Sequence, residues 1–146
     1  MNEFTIVTVI RRPVEDVFAV IQDVDQTPLW MPGLSEARIT SDGPLDAGSA
    51  LLYRGTFLGR RYDMNAECTG LTENKHFATK TVTGPFYLET DIVLEPVAEG
   101  TRVTGTYRGE SRGFFKLAEP LVVRLSKKHW EMAAENLRTL MEGNAI

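Results

Sequence analysis

The sequence predicts an α+β fold in which a curved seven-stranded antiparallel sheet wraps around a long C-terminal helix, with two short helices after the first strand. Three observations carry that prediction. The residue pattern passes from a β-branched stretch to helical spacing, then to closely spaced turns, then to one long amphipathic segment. The turns recur too often for parallel strands, which need long crossovers. One face of a strongly curved sheet must also be covered, and only the last helix is long enough to do it.

Phe4 to Ile10 is rich in β-branched residues and reads as the first strand. Pro13 suits the first turn of a helix, with Glu15 and Asp16 near its positive end. Val14, Val17, Phe18 and Ile21 repeat at helical spacing, so this helix runs from about Pro13 to Gln22. Asp23 to Gly33 contains Pro28 and Pro32, has room for only a short helix or turn, and carries Trp30 and Met31. Turn signals follow at Gly43-Pro44, Leu58-Gly59, Glu73-Asn74, Gly84-Pro85 and Glu99-Gly100. They divide the chain into strands at about 34–41, 48–57, 61–71, 76–83, 86–97 and 101–112. Pro120, which lacks a backbone donor, should start or kink the last helix.

That helix, 121–141, reads LVVRLSKKHWEMAAENLRTLM. At about 100° per residue, Arg124, Lys127, Lys128, Glu131, Glu135 and Arg138 fall on one side. Leu121, Val122, Leu125, Met132, Ala133, Leu137, Leu140 and Met141 fall on the other, together with Ser126, His129 and Asn136. Polar groups brought to an apolar helix face point to a cavity wall rather than a solid core.

Alternation sorts the strands. The inward set is Leu51, Tyr53, Gly55 and Phe57; Tyr62, Met64, Ala66 and Cys68; Phe77, Thr79 and Thr81; Phe86, Leu88, Thr90, Ile92 and Leu94; and Val103, Gly105 and Tyr107. It holds several hydroxyls and small residues but no carboxylate. Buried hydroxyls need partners, and small residues leave room, so both traits favour a partly polar cavity. Charged residues, Arg54 among them, occupy the opposite parity, where neighbours of opposite sign can pair.

Composition narrows the function. The 146 residues, 42% apolar and 25% charged, suit one soluble globular domain spanning 1–146. A net charge of −4 argues against nucleic-acid binding. No window is apolar enough to span a membrane, the N-terminus does not read as a secretory signal, and the expected compartment is the cytoplasm. One cysteine, Cys68, allows no internal disulfide, and it reads as a small buried hydrophobe. Two histidines far apart in sequence give no expectation of a metal or cofactor, and His76, beside a turn, is expected to be exposed.

The order of elements, the stretch PVEDVFAVIQDVDQTPLWMPG (Pro13–Gly33), the stretch EGTRVT (Glu99–Thr104) and the terminal amphipathic helix together resemble the START/Bet v 1-like (SRPBCC) helix-grip superfamily. Within it the chain is most similar to the polyketide cyclase/dehydrase-like branch. The resemblance implies a cavity between sheet and helix for lipids, polyketides, hormones or other apolar molecules. Its members include cyclases and aromatases, lipid carriers, quinone-binding proteins and chaperone activators. No residue set here matches a defined catalytic motif of the enzymatic branches.

The leading expectation is therefore binding of a mostly apolar lipid-, polyketide- or quinone-like molecule. The expected ligand-binding residues are Tyr53, Phe57, Tyr62, Met64, Phe77, Thr79, Leu88, Thr90, Ile92, Val103, Tyr107, Leu121, Leu125, His129 and Met132. The alternative is a metal-free cyclase, aromatase or dehydratase that uses a cavity His and Tyr as proton shuttle. A protein-interaction module is the third reading. His129 is the one catalytic candidate, but a rim histidine bonded to a backbone carbonyl or strand hydroxyl, or a ligand contact, is preferred over catalysis because no inward acid is there to orient it. Ser126 is expected to bond back to its own helix, Asn136 to contact the ligand or the short helical region, and Trp30 to pack beside the long helix. The Phe114-Phe115 pair should dock the start of that helix. Monomer and homodimer are both left open.

Overall fold

The computed structural model describes residues 2–146. Seven strands form one sheet in the order β1-β7-β6-β5-β4-β3-β2, and every neighbouring pair is antiparallel. They are β1 (Asn2–Ile10), β2 (Leu34–Ile39), β3 (Ala50–Phe57), β4 (Arg60–Thr72), β5 (His76–Thr83), β6 (Phe86–Val97) and β7 (Gly100–Ser111). Between β1 and β2 lie α1 (Val14–Gln22) and a 3₁₀ helix (Val24–Leu29). After β7 come α2 (Phe114–Leu117) and α3 (Glu119–Glu142). The element order is the one the residue pattern predicts, and the arrangement is the helix grip that the resemblance implies. The expected strands match to within two residues at each end, because tight turns set their limits. Leu58 and Gly59, both at positive φ, make the two-residue β3–β4 turn whose twist suits a hairpin.

Pro120 sits in the first turn of α3, where its missing N–H leaves no bond broken. Phe114 and Phe115 do not enter α3 but form the separate turn α2 ahead of it. The apolar stripe of α3 also differs from expectation. Val122, Ala133, Leu137 and Met141 are buried, whereas Leu121 (44% exposed) and Met132 (46% exposed) face outward. Leu121, Leu125 and Met132 each precede a stripe position by one residue, which turns them about 100° away. Trp130 fixes the rotation by stacking on Tyr107 with ring centroids 4.0 Å apart.

The main core joins Ile10, Val17, Ile21, Val24 and Trp30 to Leu51, Cys68, Leu94 and the C-terminal half of α3. Arg12 locks this end. Its guanidinium donates to the Met141 carbonyl at 2.8 Å and to the Asn144 side chain and Ile146 carbonyl, and it pairs with Asp16. A cation on carbonyls at a helix C-terminus meets the negative end of the helix dipole. Phe57, Phe115 and Val122 form a second, smaller apolar cluster at the opposite end, against which Leu125 packs. Among the described residues, no helix is long and apolar enough to cross a membrane.

Candidate ligand cavity

Between the inner face of the sheet and the N-terminal half of α3 lies a cavity of about 180 Å³. One water needs only about 10–15 Å³ by the same measure, so the space is large enough for a small molecule. β3 and β4 contribute Tyr53, Phe57, Tyr62, Met64 and Ala66. β5 and β6 add Phe77, Thr79, Thr81, Leu88, Thr90 and Ile92, and β7 adds Tyr107. Val122, Ser126, His129 and Trp130 come from α3, and Trp30, Met31 and Pro32 from the segment after the 3₁₀ helix. The exposed Asn2, Thr56 and Glu110 are also in the lining, so the cavity reaches solvent.

Most of the expected residues thus meet around one space, and four do not. Leu121 and Met132 point to solvent and Leu125 belongs to the Phe57–Phe115–Val122 cluster, all for the rotational reason above. Val103 lines a separate void of about 30 Å³ nearer β1. Ile21, Trp30, Ile92, Tyr107 and Trp130 border both spaces, so the stacked Tyr107–Trp130 pair stands between them.

Trp130, Phe86, Met31 and Pro32 line the cavity but are absent from the expected binding set. Strand alternation already places Phe86 inward. The signal for Trp130 is its place on the stripe Val122, Ser126, Trp130, Ala133, Leu137, Met141, which keeps helical spacing throughout. Met31 and Pro32 lie outside any periodic element and carry no such signal.

The hydroxyls divide into two groups. The threonines are satisfied within the sheet. Thr79 and Thr90 share a hydrogen bond of 2.6 Å, and Thr81 accepts from the Leu88 amide at 3.1 Å and donates to the Leu88 carbonyl. The tyrosines are not. Among the described residues, no protein group hydrogen-bonds the hydroxyl of Tyr53, Tyr62 or Tyr107. Burial raises the pKa of all three, and the nearby Cys68 adds to the rise at Tyr53. They are neutral donors and acceptors facing an apolar space.

The small inward residues have a different use from the one expected. A Cβ on Gly55 would meet the Gly33 carbonyl at 2.4 Å and the Tyr62 hydroxyl at 2.9 Å. On Gly105 it would meet the Tyr107 hydroxyl at 2.3 Å. These glycines seat tyrosine rings and a backbone crossing, rather than enlarging the cavity.

His129 is half-buried, packs edge-on against Phe57 at 5.3 Å, and has its pKa lowered by desolvation. It therefore faces the cavity as neutral imidazole at neutral pH. Among the described residues, Ser126 bonds neither His129 nor its own helix, contrary to expectation. Asn136 donates to the Trp30 carbonyl at 3.1 Å, tying α3 to the segment below it. The indole N–H of Trp30 is buried without a partner. Arg54 faces outward and pairs with Glu36 and Asp63. His76 is half-buried rather than exposed: its ring lies over Gly70 on β4, and it bonds Asp91 on β6. Cys68 is buried, and burial raises its pKa. No cluster of His, Cys, Asp or Glu among the described residues could hold a metal ion.

Residues 1–142 match the family described as polyketide cyclase/dehydrase and lipid transport. The chain belongs to that family. No curated protein matches it by sequence. Solved structures share this family member's fold at low identity. TTHA0849 from Thermus thermophilus is 20% identical, with a TM-score of 0.81 over 94% of this chain and 95% of that one. A START superfamily protein from Mycobacterium smegmatis is 17% identical, with a TM-score of 0.78 over 97% and 95%. The Zhui aromatase/cyclase from Streptomyces sp. R1128 is 11% identical, with a TM-score of 0.79 over 99% and 96%.

Proposed function

We propose that this protein binds a neutral, mostly apolar small molecule of lipid-, polyketide- or quinone-like chemistry between sheet and α3. The observation that carries the reading is the set of hydroxyls on Tyr53, Tyr62 and Tyr107, without a protein partner among the described residues, around an apolar cavity. Apolar walls supply affinity, and a few fixed polar groups orient the guest. A ligand carbonyl or hydroxyl would complete the tyrosines' hydrogen bonds, which an empty site leaves to water. Native mass spectrometry of undenatured protein, with displacement of a fluorescent polyketide-like or fatty-acid probe, tests it. A co-purified molecule or saturable displacement is the expected result. An interior that takes up no probe and carries no molecule would overturn it.

A second reading is a cyclase, aromatase or dehydratase. Its support is His129, a neutral imidazole in the same cavity with no hydrogen-bond partner among the described residues. Proton shuttling suits such a group. With a turned-over substrate in hand, His129→Ala should lower turnover strongly and leave binding nearly intact. Unchanged turnover rejects the assignment.

A further inference from the structure

The sheet and its edges carry arginines of two classes. On the outer sheet face, Arg38, Arg54, Arg102 and Arg108 all pair with carboxylates. Arg60 and Arg61 at the β3–β4 hairpin, and Arg112 ahead of α2, form no ion pair among the described residues. Arg60 lies over the Phe114 ring at 3.8 Å, which joins the hairpin tip to α2. Arg112 lies over the ring of Tyr87, a cavity-lining residue, at 5.4 Å.

The same surface exposes large apolar side chains. Phe115 turns inward onto Phe57 and Phe86, with ring centroids at 5.8 and 4.7 Å. Its neighbours Phe114 and Leu117 are left outside, and Leu117 is 87% exposed. Leu58, at the hairpin tip, and Leu121, in the first turn of α3, are exposed as well. The acids nearby are few. Glu119 is engaged by the Ser111 amide and Lys116, and Glu110 lies at the cavity margin.

We propose that the β3–β4 hairpin tip and α2 dock this protein on an anionic lipid bilayer. Unpaired arginines beside exposed leucine and phenylalanine match a surface with negative headgroups above hydrocarbon. A nucleic acid would use the cations but not Leu117. The docking face covers the end of the cavity where Phe57, Phe86 and Val122 lie, so a docked molecule presents that end to the membrane. The docking stands apart from the ligand-binding reading, and the test separates the two.

The full chain is floated with vesicles of phosphatidylcholine alone and with vesicles in which phosphatidylserine replaces part of it. Binding is expected only to the second, and it should weaken as salt is raised. Arg60→Gln with Arg61→Gln should weaken it about fivefold for each cation removed. Phe114→Ser with Leu117→Ser should also reduce it, while Arg102→Gln, on the sheet face, should not. Circular dichroism checks that each variant folds. Probe displacement from the cavity, measured without vesicles, should be unchanged in both double variants. Equal binding to both vesicle types, or undiminished binding by both double variants, overturns the proposal. Loss of a dimer in the Phe114/Leu117 variant, with no vesicle binding by the unaltered chain, assigns the patch to a second copy and also overturns it.

Discussion

The two halves of α3 have the same amphipathic pattern but different surroundings. The C-terminal half buries Ala133, Leu137 and Met141 in the main core and is held at its end by Arg12. The N-terminal half buries only Val122 and spans the cavity with Ser126, His129 and Trp130. Continuous packing makes the first a stability element. The second lines the cavity, so its side chains can vary in size at lower cost to the fold. One helix thus borders the packed core along one half of its length and the cavity along the other.

The sharpest way to break this division is a truncation in the packed half. Leu137→Ala should destabilise the protein by about 3 kcal/mol, within the range for buried leucines, as read by urea denaturation. A cost below about 1 kcal/mol would remove the distinction. In the cavity, Tyr53→Phe deletes a hydroxyl with no protein partner among the described residues. Stability should change by less than about 0.5 kcal/mol, while probe affinity falls about fivefold, the worth of one hydrogen bond. Equal losses in both would mean that the hydroxyl has a structural partner.

The smallest effect concerns pH. Desolvation lowers the His129 pKa below its ordinary value of 6.5. The unfolded chain therefore binds the proton more readily than the folded one. Stability should be level above that ordinary value and fall as pH drops through it towards the lower folded-state value. Thermal unfolding across this range should show a shallower fall for His129→Gln than for the unaltered chain. Parallel curves would contradict the placement of a neutral imidazole at the cavity wall.

Much of the fold was legible because turns and alternation are local signals. Glycine, proline and asparagine marked the strand limits, and period-two alternation put Tyr53, Tyr62 and Tyr107 inward. The cavity was less legible. Leu121, Leu125 and Met132 were placed one helical step from their true direction, because hydrophobicity alone does not fix a helix's rotation. The Tyr107–Trp130 stack does, and it joins elements from different parts of the chain. The glycines show the same limit: their size is local information, but the tyrosine ring that each one seats is not.

The most direct test of a binding cavity fills it from the helix side. Ser126 lines that space and makes no hydrogen bond to His129 or to its own helix among the described residues. Ser126→Phe, compared with the unaltered chain by calorimetric titration of an apolar probe and by thermal unfolding, should keep or raise the unfolding midpoint and abolish probe binding. A lowered midpoint with probe binding intact would contradict a ligand site at this wall.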